Sequence, residues 1–358
     1  MEPNSSDLPQ AAVSSAYESI IHDAPVEKQK YWEDYASYFI YLVPSAIIVV
    51  VGTIGNVLSF LVFNKKSMKQ SVTSIYFRML AISDTLVLFL GAGVGVILSS
   101  SGLDLRTINH GTCKFFVGLV KTCCYHSCWT LVLISIDRFI GVYFPHKYRT
   151  LCTKRRAVMG IIILVFIMAS FVGGFWGTAL MVTDDVCGVG ANHLPFFNDV
   201  YQWLDLCVLN LLPSVILVSI NVAIILKISR SSFASGEDAN STNAKAKKQQ
   251  SYSLTLILLS ISFVYILCTI PTSTAFLAIR TFHGPRKASQ ILLYIRTCET
   301  LYAANHASNF FLYCVHGTTF RKELKTLFCK QEGPTSSASA SNSTNVSAYT
   351  VSQTERNA

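Results

Sequence analysis

Charge is what this chain has least of. Of its 358 residues 51% are hydrophobic and only 14% charged, where an ordinary soluble domain carries about a quarter; mean hydropathy is +0.43. The deficit argues against a water-soluble globule and points to lipid as the solvent. Residues 1–38 lack the apolar core of a cleavable signal peptide, so the first apolar segment is expected to direct its own insertion. No internal repeat is apparent, which counts against a transporter built from two related halves. Asp84 has no second aspartate near mid-membrane depth, so the paired carboxylates of an intramembrane hydrolase are missing too.

Long apolar runs are abundant instead. A helix crosses a bilayer core in about 20 residues, and seven segments qualify: roughly Phe39–Phe63, Ile75–Leu98, Phe115–Ile136, Ala157–Val182, Leu204–Ile228, Leu254–Ile279 and Ile291–Val315. Runs such as Ile161–Phe171 are apolar on every side, unlike the period-two alternation of a membrane barrel. The fold class expected is an all-α membrane protein, a seven-helix bundle. Its parts are a polar tail over 1–38, the bundle over 39–315, an amphipathic eighth helix over 316–330 and a disordered Ser/Thr-rich tail over 331–358.

Lysine and arginine collect after the first, third, fifth and seventh segments, whereas residues 1–38 hold seven acids against Lys28 and Lys30. The positive-inside rule then places the amino terminus outside and the carboxyl terminus inside. The pI near 9.0 reflects that asymmetry, with no nucleic-acid partner implied. Cys113 and Cys187 fall on the oxidising outer side and can pair. Asn4 is an outer glycosylation sequon, and Cys329, beyond the amphipathic stretch, is a candidate palmitoyl site set against a plain free thiol.

Charges and amides inside the bundle mark candidate sites, because they are costly in lipid. Asp137-Arg138-Phe139 closes the third segment. Asp84, with Asn56, Ser127, Asn305 and Asn309 as possible partners, could hold a cation such as sodium or simply form a hydrogen-bonded network that fixes the helices. Glu299, Tyr302, His306, Asn309 and Tyr313 recur at spacings of three and four, so one face of the seventh helix carries all five. Lys121 precedes Arg138 by 17 residues, about 25 Å along a helix. Asp205 and Glu299 lie at similar depth, to pair internally or to bind a charged ligand. Pro213 and Pro271 remove backbone hydrogen bonds and predict kinks in the fifth and sixth helices.

Taken together, these residues resemble a rhodopsin-like (class A) G-protein-coupled receptor over about 39–330. Gly52-Thr53-Ile54-Gly55-Asn56-Val57 resembles the first-helix motif and Leu80-Ala81-Ile82-Ser83-Asp84 the second. Asp137-Arg138-Phe139 resembles the DRY switch, Pro213 the fifth-helix proline, Cys268-Thr269-Ile270-Pro271 the CWxP motif, and Asn309-Phe310-Phe311-Leu312-Tyr313 the NPxxY motif. The resemblance implies that Asp137 restrains Arg138 at rest, and that Arg138 and Tyr313 help form the cavity that receives a G protein. It also implies that Asp84, Ser127, Asn305 and Asn309 form a sodium pocket. A non-enzymatic receptor in the plasma membrane follows, with lipid around it and a receptor kinase and arrestin expected at the tail. Departures are visible as well: the toggle tryptophan is Thr269, the NPxxY proline is Phe310, and the fifth-helix tyrosine is Asn221. Val120 occupies the amine-binding aspartate position and Ala303 the retinal lysine position. The remaining pattern is similar to invertebrate neuropeptide receptors of the FMRFamide, myosuppressin and sex-peptide type. A short peptide is therefore the expected ligand, with Lys121, Asp205, Thr269, Arg280, Arg296, Glu299 and Tyr302 as its pocket. A channel or transporter, and a receptor that binds without signalling, are the rival readings.

Overall fold

The computed structural model describes residues 31–183, 186–234, 242–278 and 285–328. Seven long helices dominate them: α1 Trp32–Phe63, α2 Val72–Ser101, α3 His110–Tyr143, α4 Lys154–Ala179, α5 Ala191–Arg230, α6 Thr242–Ala278 and α7 Pro285–His316. A short α8, Thr318–Phe328, follows. The first six contain stretches long and apolar enough to cross a membrane. The polar stripe of α7 lowers its hydropathy, although at 32 residues it is as long as α1. The flanks of the bundle carry large apolar side chains, with Phe166 and Phe263 each 67% exposed. In water such surfaces would aggregate; in lipid they are solvated.

Local chemistry sets the helix ends. Asn109 Oδ1 accepts from the Thr112 N–H at 2.9 Å, and Thr112 Oγ1 accepts from the Asn109 N–H at 3.0 Å, a reciprocal cap that starts α3. Glu33 and Asp34 sit in the first turn of α1, where the helix dipole favours carboxylates. Gly102 stops α2 at φ +72°, a left-handed conformation that costs glycine nothing.

The interior is organised around α3, which packs against α2, α4, α5 and α6, while α7 lies between α1 and α6. Gly52 permits the close approach of α1 to α7: a Cβ there would meet the Ala307 Cβ at 2.5 Å and the Ala307 Cα at 3.0 Å. Between α4 and α5 a hairpin of β1 (Leu180–Thr183) and β2 (Val186–Val189) pairs antiparallel, Val182 opposite Cys187. The Cys113–Cys187 disulfide, Cα–Cα 5.6 Å, ties this hairpin to the start of α3. That end of the bundle is the disulfide end below; the other carries Asp137.

Pro271 lies inside α6, as the sequence predicts, and Pro44 lies inside α1. At Pro213 the departure from regular helix is broader than one kink. A wider π-type stretch, Leu206–Leu211, comes just before it, and α2 has another at Val87–Gly93. Pro213 has no N–H to return to Leu209, four residues back, or to Val208, five back. Both carbonyls are taken by side chains from neighbouring helices: Val208 O accepts from Trp129 Nε1 at 3.1 Å and Leu209 O from the Tyr265 hydroxyl. A proline in α5 thereby fixes α5 to both α3 and α6. In α8, Phe320 is buried against Phe63 and Tyr313, while Phe328 is 71% exposed at the far end.

Candidate functional site

At the disulfide end the helices part around a cavity of about 490 Å³. Lys121, Arg296, Glu299 and Tyr302 line it, together with Trp176 and the β2 residues Cys187–Val189. The charges meet each other. Lys121 Nζ lies 3.2 Å from Asp205 Oδ1, and the Tyr125 hydroxyl donates to the same oxygen. Arg296 Nη1 lies 3.0 Å from Glu299 Oε2, with its guanidinium 4.3 Å from the Tyr41 ring. The acids and bases pair with one another, Glu299 along its own helix and not across to Lys121.

Two of the predicted pocket residues differ from expectation. Thr269 does not line the cavity: it is 1% exposed, and its hydroxyl donates to the Tyr265 carbonyl one turn back at 2.7 Å. Asp205 reaches the cavity only through Lys121. Arg280 lies outside the described residues, as do Asn4 and Cys329. Residues the sequence reading missed include Tyr125, Trp176 and Tyr201, which surround the Lys121–Asp205 pair. Trp176 Nε1 donates to the Tyr201 hydroxyl at 2.5 Å, and Lys121 Nζ sits 6.0 Å from the Trp176 ring. Tyr125 could have been found, since it follows Lys121 by four residues on one face of α3.

Below the cavity the stripe of α7 continues as contacts. The rings of Tyr302 and His306 lie 4.9 Å apart. His306 Nδ1 and Ser127 Oγ each lie 2.7 Å from Asp84 Oδ1, and Asn309 Nδ2 donates to Asp84 Oδ2 at 2.7 Å. Asn56, expected in the same cluster, donates instead to the His306 carbonyl at 3.0 Å. Asn305 is not among the hydrogen-bond partners of Asp84, and its carbonyl accepts from Ser308. One turn further, Tyr313 is edge-on to Phe63 and Phe77 with centroids 5.2 and 5.1 Å away.

At the opposite end Arg138 Nη2 lies 3.1 Å from Asp137 Oδ2 and also donates to the Thr73 hydroxyl. Asp137, 3% exposed at its side chain, also accepts from Thr73 at 3.2 Å and from Tyr148 at 3.3 Å. Tyr148 belongs to a helical turn, Pro145–Leu151, just past α3. Phe139 stacks on Tyr143 at 4.4 Å. The lower part of α6 is held to α7, where Ser253 donates to the His316 carbonyl and Ser260 Oγ lies 3.1 Å from His316 Nε2. Among the described residues no group of three or more His, Cys, Asp or Glu side chains could hold a metal ion.

A charge-lined cavity, a polar ladder and an ion pair at the far end thus share one bundle. Residues 55–313 match the model of the 7 transmembrane receptor (rhodopsin family). The chain belongs to that family. It is accordingly a multi-pass membrane receptor and not an enzyme. It is 24% identical to a probable G-protein coupled receptor of Caenorhabditis elegans, over 79% of this chain and 67% of that one. It is 31% identical to mouse neuromedin-U receptor 2 over 39% of this chain and 38% of the relative, and 31% identical to the Oryzias latipes alpha-1A adrenergic receptor over 33% and 25%. The chain therefore spans about two thirds of the first relative's length and well under half of the other two.

Proposed function

We propose that this receptor sits in the plasma membrane with its disulfide end outside, binds a short peptide in the cavity there, and activates a heterotrimeric G protein at its Asp137 end. One observation carries the reading: the cavity that holds Tyr302 is joined, through the contacts of a single helix face, to the aromatic cluster of Tyr313 and Phe77, and Phe77 lies one turn along α2 from Thr73, which bonds to both Asp137 and Arg138. Ligand contacts that favour an outward α6 would shift the population toward a state in which Arg138 leaves Asp137, by no more than their differential affinity for it.

A peptide is favoured over an amine because Val120 lines the cavity where an amine receptor would place its aspartate. The volume and the three cation–carboxylate pairs around it, Arg106–Asp104 being the third, suit a ligand with several side chains. A basic residue would compete with Arg296 for Glu299, and an acidic one with Asp205 for Lys121. A receptor kinase and arrestin remain the partners proposed for the tail, with bilayer lipid around the helices.

The test is a library of amidated peptides applied to cells expressing the receptor with sensors of G-protein dissociation. At least one peptide should release G protein, and Arg138→Ala should abolish that release at normal surface expression. Binding without release by any G-protein class would favour a non-signalling receptor. For a basic peptide, Glu299→Gln should weaken binding by about 1–3 kcal/mol; unchanged affinity would assign Glu299 to Arg296 alone.

A further inference from the structure

The family resemblance puts a sodium ion beside Asp84, and the residues present do not fit one. A hard cation needs several oxygen lone pairs directed at it. Here both oxygens of the Asp84 carboxylate are already engaged, Oδ1 by Ser127 and His306 and Oδ2 by Asn309, each at 2.7 Å. Ser127 and Asn309 turn protons, not lone pairs, toward the carboxylate, and with His306 they take three of its four lone-pair sites. Asn305, the remaining member of the expected set, is not among its partners. The ring of His306 is there in its stead, and it offers a nitrogen where a hard cation prefers oxygen. Whichever atom carries the proton of the Nδ1–Oδ1 bond, that bond occupies both.

The surroundings hold the ring in this place. Asp84 is 0% and His306 2% exposed. Tyr302 covers the imidazole from one turn up, Cys124 of α3 faces it, and the His306 carbonyl is held from α1 by Asn56. We propose that the His306 imidazole takes the position of the expected sodium ion, so that the resting bundle is joined by direct α2–α3–α7 hydrogen bonds and is insensitive to sodium.

The experiment uses the full-length receptor in lipid nanodiscs, melted with a thiol-reactive fluorophore that reports exposure of the buried cysteines, Cys123, Cys128 and Cys268 among them. About 150 mM NaCl is compared with about 150 mM choline chloride, which holds ionic strength constant. The wild-type Tm should be the same in both. His306→Ser opens the position and adds an oxygen, and its Tm should rise in NaCl by roughly 2 °C or more; adding Asp84→Asn to it should remove that rise. A sodium-dependent rise in wild type overturns the proposal, and so does a folded His306→Ser that ignores sodium. The wild-type comparison decides alone if the variant does not fold. No peptide or G protein enters the measurement, so its failure is separable from failure of the proposed signalling role.

Discussion

Tyr265→Phe removes one hydroxyl and leaves in place a ring that is only 2% exposed. What it takes away is the donor to the Leu209 carbonyl, which Pro213 cannot replace from its own helix. A buried acceptor left unsatisfied costs about 1–3 kcal/mol, with little added cavity term because a hydroxyl is small. For a bundle of this size the melting temperature should fall by roughly 2–6 °C. If the hydroxyl bridges α5 and α6 only in the resting arrangement, the same loss should raise ligand-independent nucleotide exchange by about 5–150-fold, since each 1.4 kcal/mol is a factor of ten. Both are measurable on purified receptor, the first by thermal melting and the second by GTP-analogue uptake on a G protein. A double-mutant cycle supplies the control. Pro213→Ala restores an N–H able to reach the Leu209 carbonyl, so Tyr265→Phe should cost markedly less in that background. Equal costs in the two backgrounds would refute the link between the proline and the tyrosine.

Three other perturbations follow from the same geometry. Asp137→Asn weakens the partner of Arg138 and should raise basal exchange about tenfold at normal expression, given that removing one member of a partly buried pair costs a few kcal/mol at most; an unchanged rate would count against the restraint. Gly52→Ala gains up to about 1 kcal/mol of helix propensity, yet overpacking against the Ala307 backbone costs about 1–3 kcal/mol, so the Tm should drop, and a rise would show that α1 and α7 yield freely. Cys152, in the turn after α3, has its thiol pushed up to about 12 by burial and then by the nearby Asp137 carboxylate. Below that value the thiolate is scarce, so iodoacetamide labelling of Cys152, followed by mass spectrometry, should be slow at neutral pH and quicken steadily as pH rises.

Much of the architecture was legible in the apolar runs, because lipid forces each crossing to be a complete helix of about 20 residues. The α7 stripe was legible for the converse reason: five polar residues on one face cannot meet lipid. Which contacts the stripe makes was not. His306 stood in the stripe, but spacing alone does not say that its ring, and not Asn305, reaches Asp84. Lys121 and Asp205 were matched by depth. Depth could not show that Glu299 prefers Arg296, one turn away on its own helix. Thr269 lies buried outside the cavity, its hydroxyl bonded back to the preceding turn, a local option for threonine that sequence does not reveal. The π-type stretches at Val87–Gly93 and Leu206–Leu211 have no periodicity that announces them, and only Pro213 stands near either as a marker.

The orientation of the bundle underlies the whole account, and epitope accessibility measures it most directly. With one tag on the amino-terminal tail and another after Phe328, antibodies applied to intact cells should stain only the first, and permeabilisation should reveal the second. Staining of the carboxyl-terminal tag alone in intact cells would put the disulfide-end cavity in the cytoplasm and contradict both the ligand site and the G-protein site.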